Sequence, residues 1–324
     1  MAGAVRHRRP GGADDGCAGR HVGERGCGRL APRPAGGGGG RAGPGPRASG
    51  RRRPPRAYGD GFRSALAHAA PRRALRACGR AGPHPDRAPV TIAERLGGLD
   101  WAALEAGLWD RGWAGTPAVL TPAECDALMA SYSDESLFRS RVDMERHRFG
   151  AGDYKYFARP LPPLVEQLRV HAYPRLAGVA NRWMKALGAR ERFPPTLAAF
   201  LARCARAGQT RPTPLLLHYE AGGYNCLHQD VYGRLGFPLQ LVAFLSRPGR
   251  DYTGGEFLLV EQRPRAQSVG EAIVKEQGEL VVFTNRFRPA RGGRGFYRVG
   301  VRHGVSRVRT GRRYTLGIIF HDAE

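Results

Sequence analysis

The sequence predicts a mainly β chain in which N-terminal helices support an antiparallel core of jelly-roll type. Three observations predict it. Residues 1–89 are rich in Arg, Gly, Ala and Pro, and give way near Val90 to ordinary globular composition. Apolar residues then recur at helical spacing to about residue 207. From Pro214 onward, short runs of branched and aromatic residues alternate with Gly, Pro and Asn turns. The expected organisation is an extension over 1–89, a helical support over 90–213 and a β core over 214–324.

The chain has 324 residues, with 52 Lys+Arg against 28 Asp+Glu, a formal net charge of +24. Residues 1–90 hold 19 Arg, no Lys and 5 acids, which accounts for +14 of that total. So few Ile, Leu, Val or aromatic residues cannot offset the entropy of ordering, and the extension is expected to be disordered. An Arg/Gly-rich arm could hold nucleic acid electrostatically. The alternative is a start codon placed too far upstream in GC-rich sequence, which the absence of Lys favours. No run approaches the roughly 20 apolar residues of a membrane-crossing helix, so no membrane partner is expected. The arginines near the N-terminus lack a following apolar segment, so no secretory signal is expected. Six scattered cysteines without a CxxC pair fit a reducing compartment. The expected location is cytoplasmic.

The helices carry their own punctuation. Trp101, Leu104 and Leu108 share a helical face between Asp100, a candidate N-cap, and Gly112, a candidate stop. Thr121-Pro122-Ala123-Glu124 reads as a capping box with Pro at the first helical position, opening a helix through Met129. Leu164, Leu168, Leu176, Val179, Trp183 and Leu187 form a longer face, expected to break near Pro174, and a short helix covers 197–207. The strands are expected at Leu215–Tyr219, Leu239–Leu245, Glu256–Glu261, Glu279–Phe283, Tyr297–Val301 and Tyr314–Phe320.

The chemistry falls in the β region. In His228-Gln229-Asp230, extended spacing would point the imidazole and the carboxylate to one face. One more His from a distant strand completes the two-His, one-carboxylate set of non-haem Fe(II) oxygenases, which leaves positions open on one side of the metal. His303 lies 73 residues after Asp230, on the approach to the last strand, and Arg313 follows ten residues later. A guanidinium beside the metal can grip the far end of a dicarboxylate through paired N–H bonds. Tyr219-Glu220-Ala221-Gly222-Gly223-Tyr224 precedes the first motif, and Thr253-Gly254-Gly255-Glu256 opens a middle strand.

Over about 214–322 this order resembles the Fe(II)/2-oxoglutarate dioxygenase superfamily, whose core is a double-stranded β-helix, and within it the prolyl-hydroxylase branch. Over about 90–324 the chain resembles a bacterial family of oxygenases labelled as predicted oxidative demethylases of damaged nucleic acid bases. The strings that carry this are Arg211-Pro212-Thr213-Pro214, Tyr224 to Asp230, Glu261-Gln262-Arg263-Pro264-Arg265 and Gly317 to Asp322. The resemblance implies Fe2+ held by His228, Asp230 and His303. It implies 2-oxoglutarate as cosubstrate, its 5-carboxylate on Arg313 with Tyr219 as hydrogen-bond partner, and ascorbate as a candidate reductant of oxidised iron. The implied reaction is hydroxylation of a C–H bond with release of succinate and CO2; an N-methyl group so treated would leave as formaldehyde.

One departure bears on the substrate. Leu-His-Gln-Asp is shared with AlkB-like demethylases, but the second Arg of their Arg-x5-Arg element would fall at Ile319. Protein or small-molecule hydroxylation therefore stands beside base demethylation. His303 could also be a core histidine, and Arg312 neighbours Arg313 on the opposite strand face. His218 has no assigned role; His321 and Asp322 read as strand-terminal structure; Glu256 and Glu279 read as a solvated strand edge or turn. Ten Arg lie within 286–313, and those other than Arg313 could attract nucleic acid or another acidic partner. The rival to an enzyme is a catalytically silent jelly-roll module that binds through this basic face. The prime substrate and the oligomeric state are not legible.

Overall fold

The structure is a computed structural model that describes residues 90–230 and 232–324. The Arg/Gly/Pro-rich extension over 1–89 lies outside the described residues. The first helices are α1 (Ile92–Gly97), α2 (Trp101–Arg111) and, after strand β1 (Trp113–Ala118), α3 (Pro122–Ala130). Each begins where a side-chain oxygen satisfies an otherwise orphaned amide. Thr91 and Thr121 form complete capping boxes with Glu94 and Glu124, and Asp100 accepts from the Ala103 amide. Gly112 closes α2 in the left-handed region, as its position predicts.

Strands β2 (Phe138–Asp143), β3 (Gly150–Ala151) and β4 (Asp153–Phe157) precede α4 (Pro163–Ala186) and α5 (Leu197–Arg206). The break expected at Pro174 does not occur. Pro174 removes one amide, but the carbonyl left free belongs to exposed Val170 and can turn to water, while Leu168, Tyr173, Leu176 and Trp183 hold the buried face. The region 90–213 is also less purely helical than expected. Its strands were hidden in the sequence because the edge strand Phe138–Asp143 carries charges and β1 contains Gly and Pro.

The remaining strands are β5 (Leu215–Glu220), β6 (Tyr224–His228), β7 (Leu239–Phe244), β8 (Tyr252–Gly254), β9 (Phe257–Gln262), β10 (Val269–Ile273), β11 (Glu279–Thr284), β12 (Phe287–Gly292), β13 (Gly295–Val305) and β14 (Val308–Ile318). They form two antiparallel sheets, ordered β1-β11-β7-β14-β5-β4-β2 and β10-β9-β13-β6-β3, with β8 on β14 and β12 on β13. This is the double-stranded β-helix core. Period-two alternation sorts its side chains. Leu216, Leu241, Ala243, Leu280, Val282, Leu316 and Ile318 face the helices, whereas Val242, Phe244, Phe257, Leu259, Val281 and Phe283 pack in a second cluster. Arg313 and Thr315 on β14, Gln240 on β7 and Tyr219 on β5 line a cavity beside that second cluster.

Candidate active site

A cavity of about 440 Å³ is lined at one end by His228, Asp230 and His303 and elsewhere by Tyr219, Gln240, Phe257, Phe283, Arg313 and Thr315. His228 ends β6, and His303 stands opposite it in register on β13 rather than on the approach to the last strand. Asp230 lies just beyond the end of β6, not within an extended strand, yet its carboxylate still reaches both rings. Its Oδ1 is 3.5 Å from Nε2 of His228 and its Oδ2 is 3.2 Å from Nε2 of His303. One ligand atom from each of the three residues lies within 4.8 Å of the others.

The local chain fixes these orientations. Nδ1 of His228 is 2.7 Å from the Cys226 carbonyl. Donation there leaves Nε2 as the free lone pair. Gln229 donates to the carbonyls of Arg286 and Val301, both at 2.8 Å, and so ties the His228–Asp230 segment to the strand of His303. Burial alone would raise the Asp230 carboxyl, but its bonds to His228 and His303 hold it well below the usual range. Burial lowers His303, whereas Asp230 raises His228 against the same burial effect. An ionised carboxylate beside two imidazole nitrogens is a donor set suited to a divalent transition metal.

Arg313 is 1% exposed, and its guanidinium carbon lies 5.5 Å from the Tyr219 ring, 5.6 Å from Phe244 and 5.9 Å from Tyr252. Its Nη1 reaches Thr315 Oγ1 at 3.5 Å, while Nε and Nη2 have no hydrogen-bond partner among the described residues. A buried cation with two unused donors in a cavity wall fits the carboxylate of an acidic cosubstrate. Gly255 makes room for it: its φ is +65°, and a Cβ there would lie 2.9 Å from Arg313 Cδ. Tyr219 pairs with Arg313 across β5 and β14, and its hydroxyl, pushed up to about 12 by burial, accepts from Asn225 at 3.4 Å. Arg312 is exposed and lies 3.5 Å from Glu220, outside the cavity.

The remaining residues singled out in the sequence have structural partners. His218 bonds Asp153 at 3.1 Å; His321 accepts from the Phe237 amide at 3.2 Å; Asp322 pairs with Arg169 at 2.8 Å and Arg159 at 2.5 Å. Glu256 bonds Ser306, and Glu279 lies 3.1 Å from Lys275. Residues that sequence reasoning missed are Tyr232 and Gln240, which donate to Oδ1 and Oδ2 of Asp230, both at 2.9 Å. A lone polar residue inside the apolar run Leu239–Leu245 was the available signal for Gln240.

The sequence profile of a family described as "Oxygenase, catalysing oxidative methylation of damaged DNA" matches residues 152–323, just over half of the chain. The chain belongs to this oxygenase family. Two relatives, the uncharacterized proteins MT2286 and Rv2227 from two strains of Mycobacterium tuberculosis, are each 53% identical over 167 residues, which is 52% of this chain and 72% of theirs. Among solved structures, a Pseudomonas putida prolyl-4-hydroxylase aligns with a TM-score of 0.44 and 17% identity, covering 69% of this chain and 99% of that one. A 2OG-Fe(II) oxygenase family protein from Burkholderia pseudomallei aligns with a TM-score of 0.41 and 16% identity, covering 69% and 92%. In this oxygenase the antiparallel sheets bring two imidazoles and one carboxylate together, a donor set of the kind suited to a non-haem metal. No helix among its described residues is long and apolar enough to cross a membrane.

Proposed function

We propose that this oxygenase couples decarboxylation of 2-oxoglutarate to hydroxylation of a C–H bond in a second substrate. His228, Asp230 and His303 hold Fe(II), and Arg313 receives the distal carboxylate of the cosubstrate. The observation that carries the reading is the buried Arg313 guanidinium, with no carboxylate partner among the described residues and with Nε and Nη2 unused, in the wall of the same cavity as the His–Asp–His cluster. A binding module would have no use for a desolvated cation there, because an unpaired buried charge costs several kcal/mol. When bound, iron would supply dioxygen activation, the four electrons that O2 takes up coming two from 2-oxoglutarate, which leaves as succinate and CO2, and two from the C–H bond that is hydroxylated.

The side chains divide the remaining work. Nε and Nη2 of Arg313 donate to one carboxylate and set the direction in which the cosubstrate lies. Thr315 and Tyr219 add hydroxyls along that wall. Phe257 and Phe283, beside His303 with ring centroids at 6.1 and 4.9 Å, keep water from its inner face. Ascorbate enters as a candidate reductant for iron oxidised without product formation.

A second reading of the substrate, oxidation of a methyl group on a damaged base, is supported by the description of the family. It is also supported by exposed Arg286, Arg291, Arg294, Arg298, Arg302, Arg307 and Arg309, a stretch without a single acid. Ile319, apolar and buried, stands against an AlkB-like contact there.

The test is anaerobic addition of Fe(II) and then 2-oxoglutarate, which is expected to produce a weak visible charge-transfer band. Succinate release is then screened, with and without ascorbate, against methylated oligonucleotides, proline-containing peptides and free amino acids. Formaldehyde release with the oligonucleotides selects the second reading. Wild-type iron binding and turnover in both His228→Ala and Asp230→Ala would overturn the ligand assignment.

A further inference from the structure

Gln240 is the one polar residue in β7, an interior strand of the larger sheet, and it is 4% exposed. Its side chain shares a face with Val242 and Phe244, and its amide donates to Asp230 Oδ2 at 2.9 Å. On the other oxygen, Tyr232 donates to Oδ1, also at 2.9 Å, and itself accepts from Tyr156 at 3.1 Å. The loop that brings Tyr232 there is anchored by Gln209, which is fully buried. Its Oε1 accepts from the Leu235 amide at 2.8 Å, and its Nε2 donates to the carbonyls of Tyr232, Leu235 and Asp322 at 3.2, 2.9 and 2.6 Å. Gly233 permits this packing: its φ is +71°, and a Cβ there would meet Gln209 at 2.5 Å.

We infer that Gln240 and Tyr232 are positioning residues that hold the Asp230 carboxylate in one plane, presenting a preformed ligand set to the metal. The inference rests on the metal reading given under the proposed function. A carboxylate pivots about its Cβ–Cγ bond, and donors fixed on both oxygens oppose that pivot in either direction. An amide buried in an otherwise apolar strand costs stability unless bonded, and here its bond goes to the candidate ligand. Removing such a partner typically weakens metal binding by about 10–100-fold.

The experiment uses the full-length protein without iron and Co(II) as the probe. Gln240→Leu suits the apolar strand, and Tyr232→Phe removes one hydroxyl. Each is expected to lower Co(II) affinity by about 10–100-fold and to change the shape of the Co(II) visible absorption, which reports coordination geometry. If Gln240→Leu does not fold, Tyr232→Phe decides alone. Wild-type affinity together with a wild-type spectrum in the folded variants would overturn the inference while leaving the metal site standing. A wild-type protein that binds no Co(II) would overturn the metal reading and this inference with it.

Discussion

His228 and His303 face each other in register across β6 and β13, with ring centroids 4.2 Å apart. Two strands therefore carry the imidazoles, and their hydrogen-bonded pairing, rather than loop conformation, sets the separation. A site built on paired strands is held more tightly than one built on loops.

The first prediction follows from that pairing. His303→Ala removes one donor without breaking backbone pairing, so the protein is expected to fold, and succinate production is expected to fall at least about 100-fold, beyond what loss of a supporting contact costs. Circular dichroism and a succinate assay on the same sample check both halves.

Arg313 and Arg312 give a paired prediction. Arg313→Leu removes two charge-assisted donors, worth about 1.5–3 kcal/mol each. The KM for 2-oxoglutarate is expected to rise by about 100-fold or more. Arg312→Ala, on the solvent side, is expected to leave that KM unchanged. Initial rates across a 2-oxoglutarate series separate the two.

Acid sensitivity is expected at the junction of α1 and α3. The Arg95 guanidinium, 2.6 and 2.7 Å from the two Glu124 oxygens, holds that carboxyl down to about 2 from an ordinary 4.5. The folded value is depressed, so the stabilisation is fully present above about pH 4.5 and is lost as pH falls toward 2. Solvent reaches part of this pair, which reduces its worth to about 1–2 kcal/mol. Glu124→Gln is expected to lower the unfolding free energy measured with urea at pH 6 by that amount, with the difference from wild type shrinking as pH falls toward 2.

Arg169, fully buried in α4, donates to the carbonyls of Ile319 and Phe320, both at 3.0 Å, and to Asp322 at 2.8 Å. Arg169→Ala leaves the Asp322 carboxylate with one partner fewer and takes the guanidinium from the Ile319 and Phe320 carbonyls, at an expected cost of about 3–5 kcal/mol. Thermal melting checks this. Unchanged stability would mean that water replaces the guanidinium.

Much of this was legible along the chain because the signals were local. Thr121-Pro122-Ala123-Glu124 announces a helix start by its own hydrogen-bonding capacity, and alternation on β14 separates Arg313 from Arg312 without any tertiary information. His228 and Asp230 could be read together from their spacing, although Asp230 reaches the cluster from beyond the strand end. The contacts of Tyr232 and Gln240 with Asp230 could not be read, because they depend on a loop pinned by Gln209 and on which face of a wholly buried strand meets the cavity. Pro174 misled for a related reason. Its helix survives through packing against distant residues, which outweighs one missing hydrogen bond.

The pairing of β4 with β5 and of β1 with β11 has a practical outcome for anyone dissecting the molecule. A fragment begun at Pro214 would carry raw margins on both sides of its larger sheet, at Leu215–Glu220 and Glu279–Thr284, each offering unsatisfied amides to a neighbouring molecule. Such a fragment is expected to clump on expression, so the portion bearing the chemistry is not separable from the stretch that precedes it.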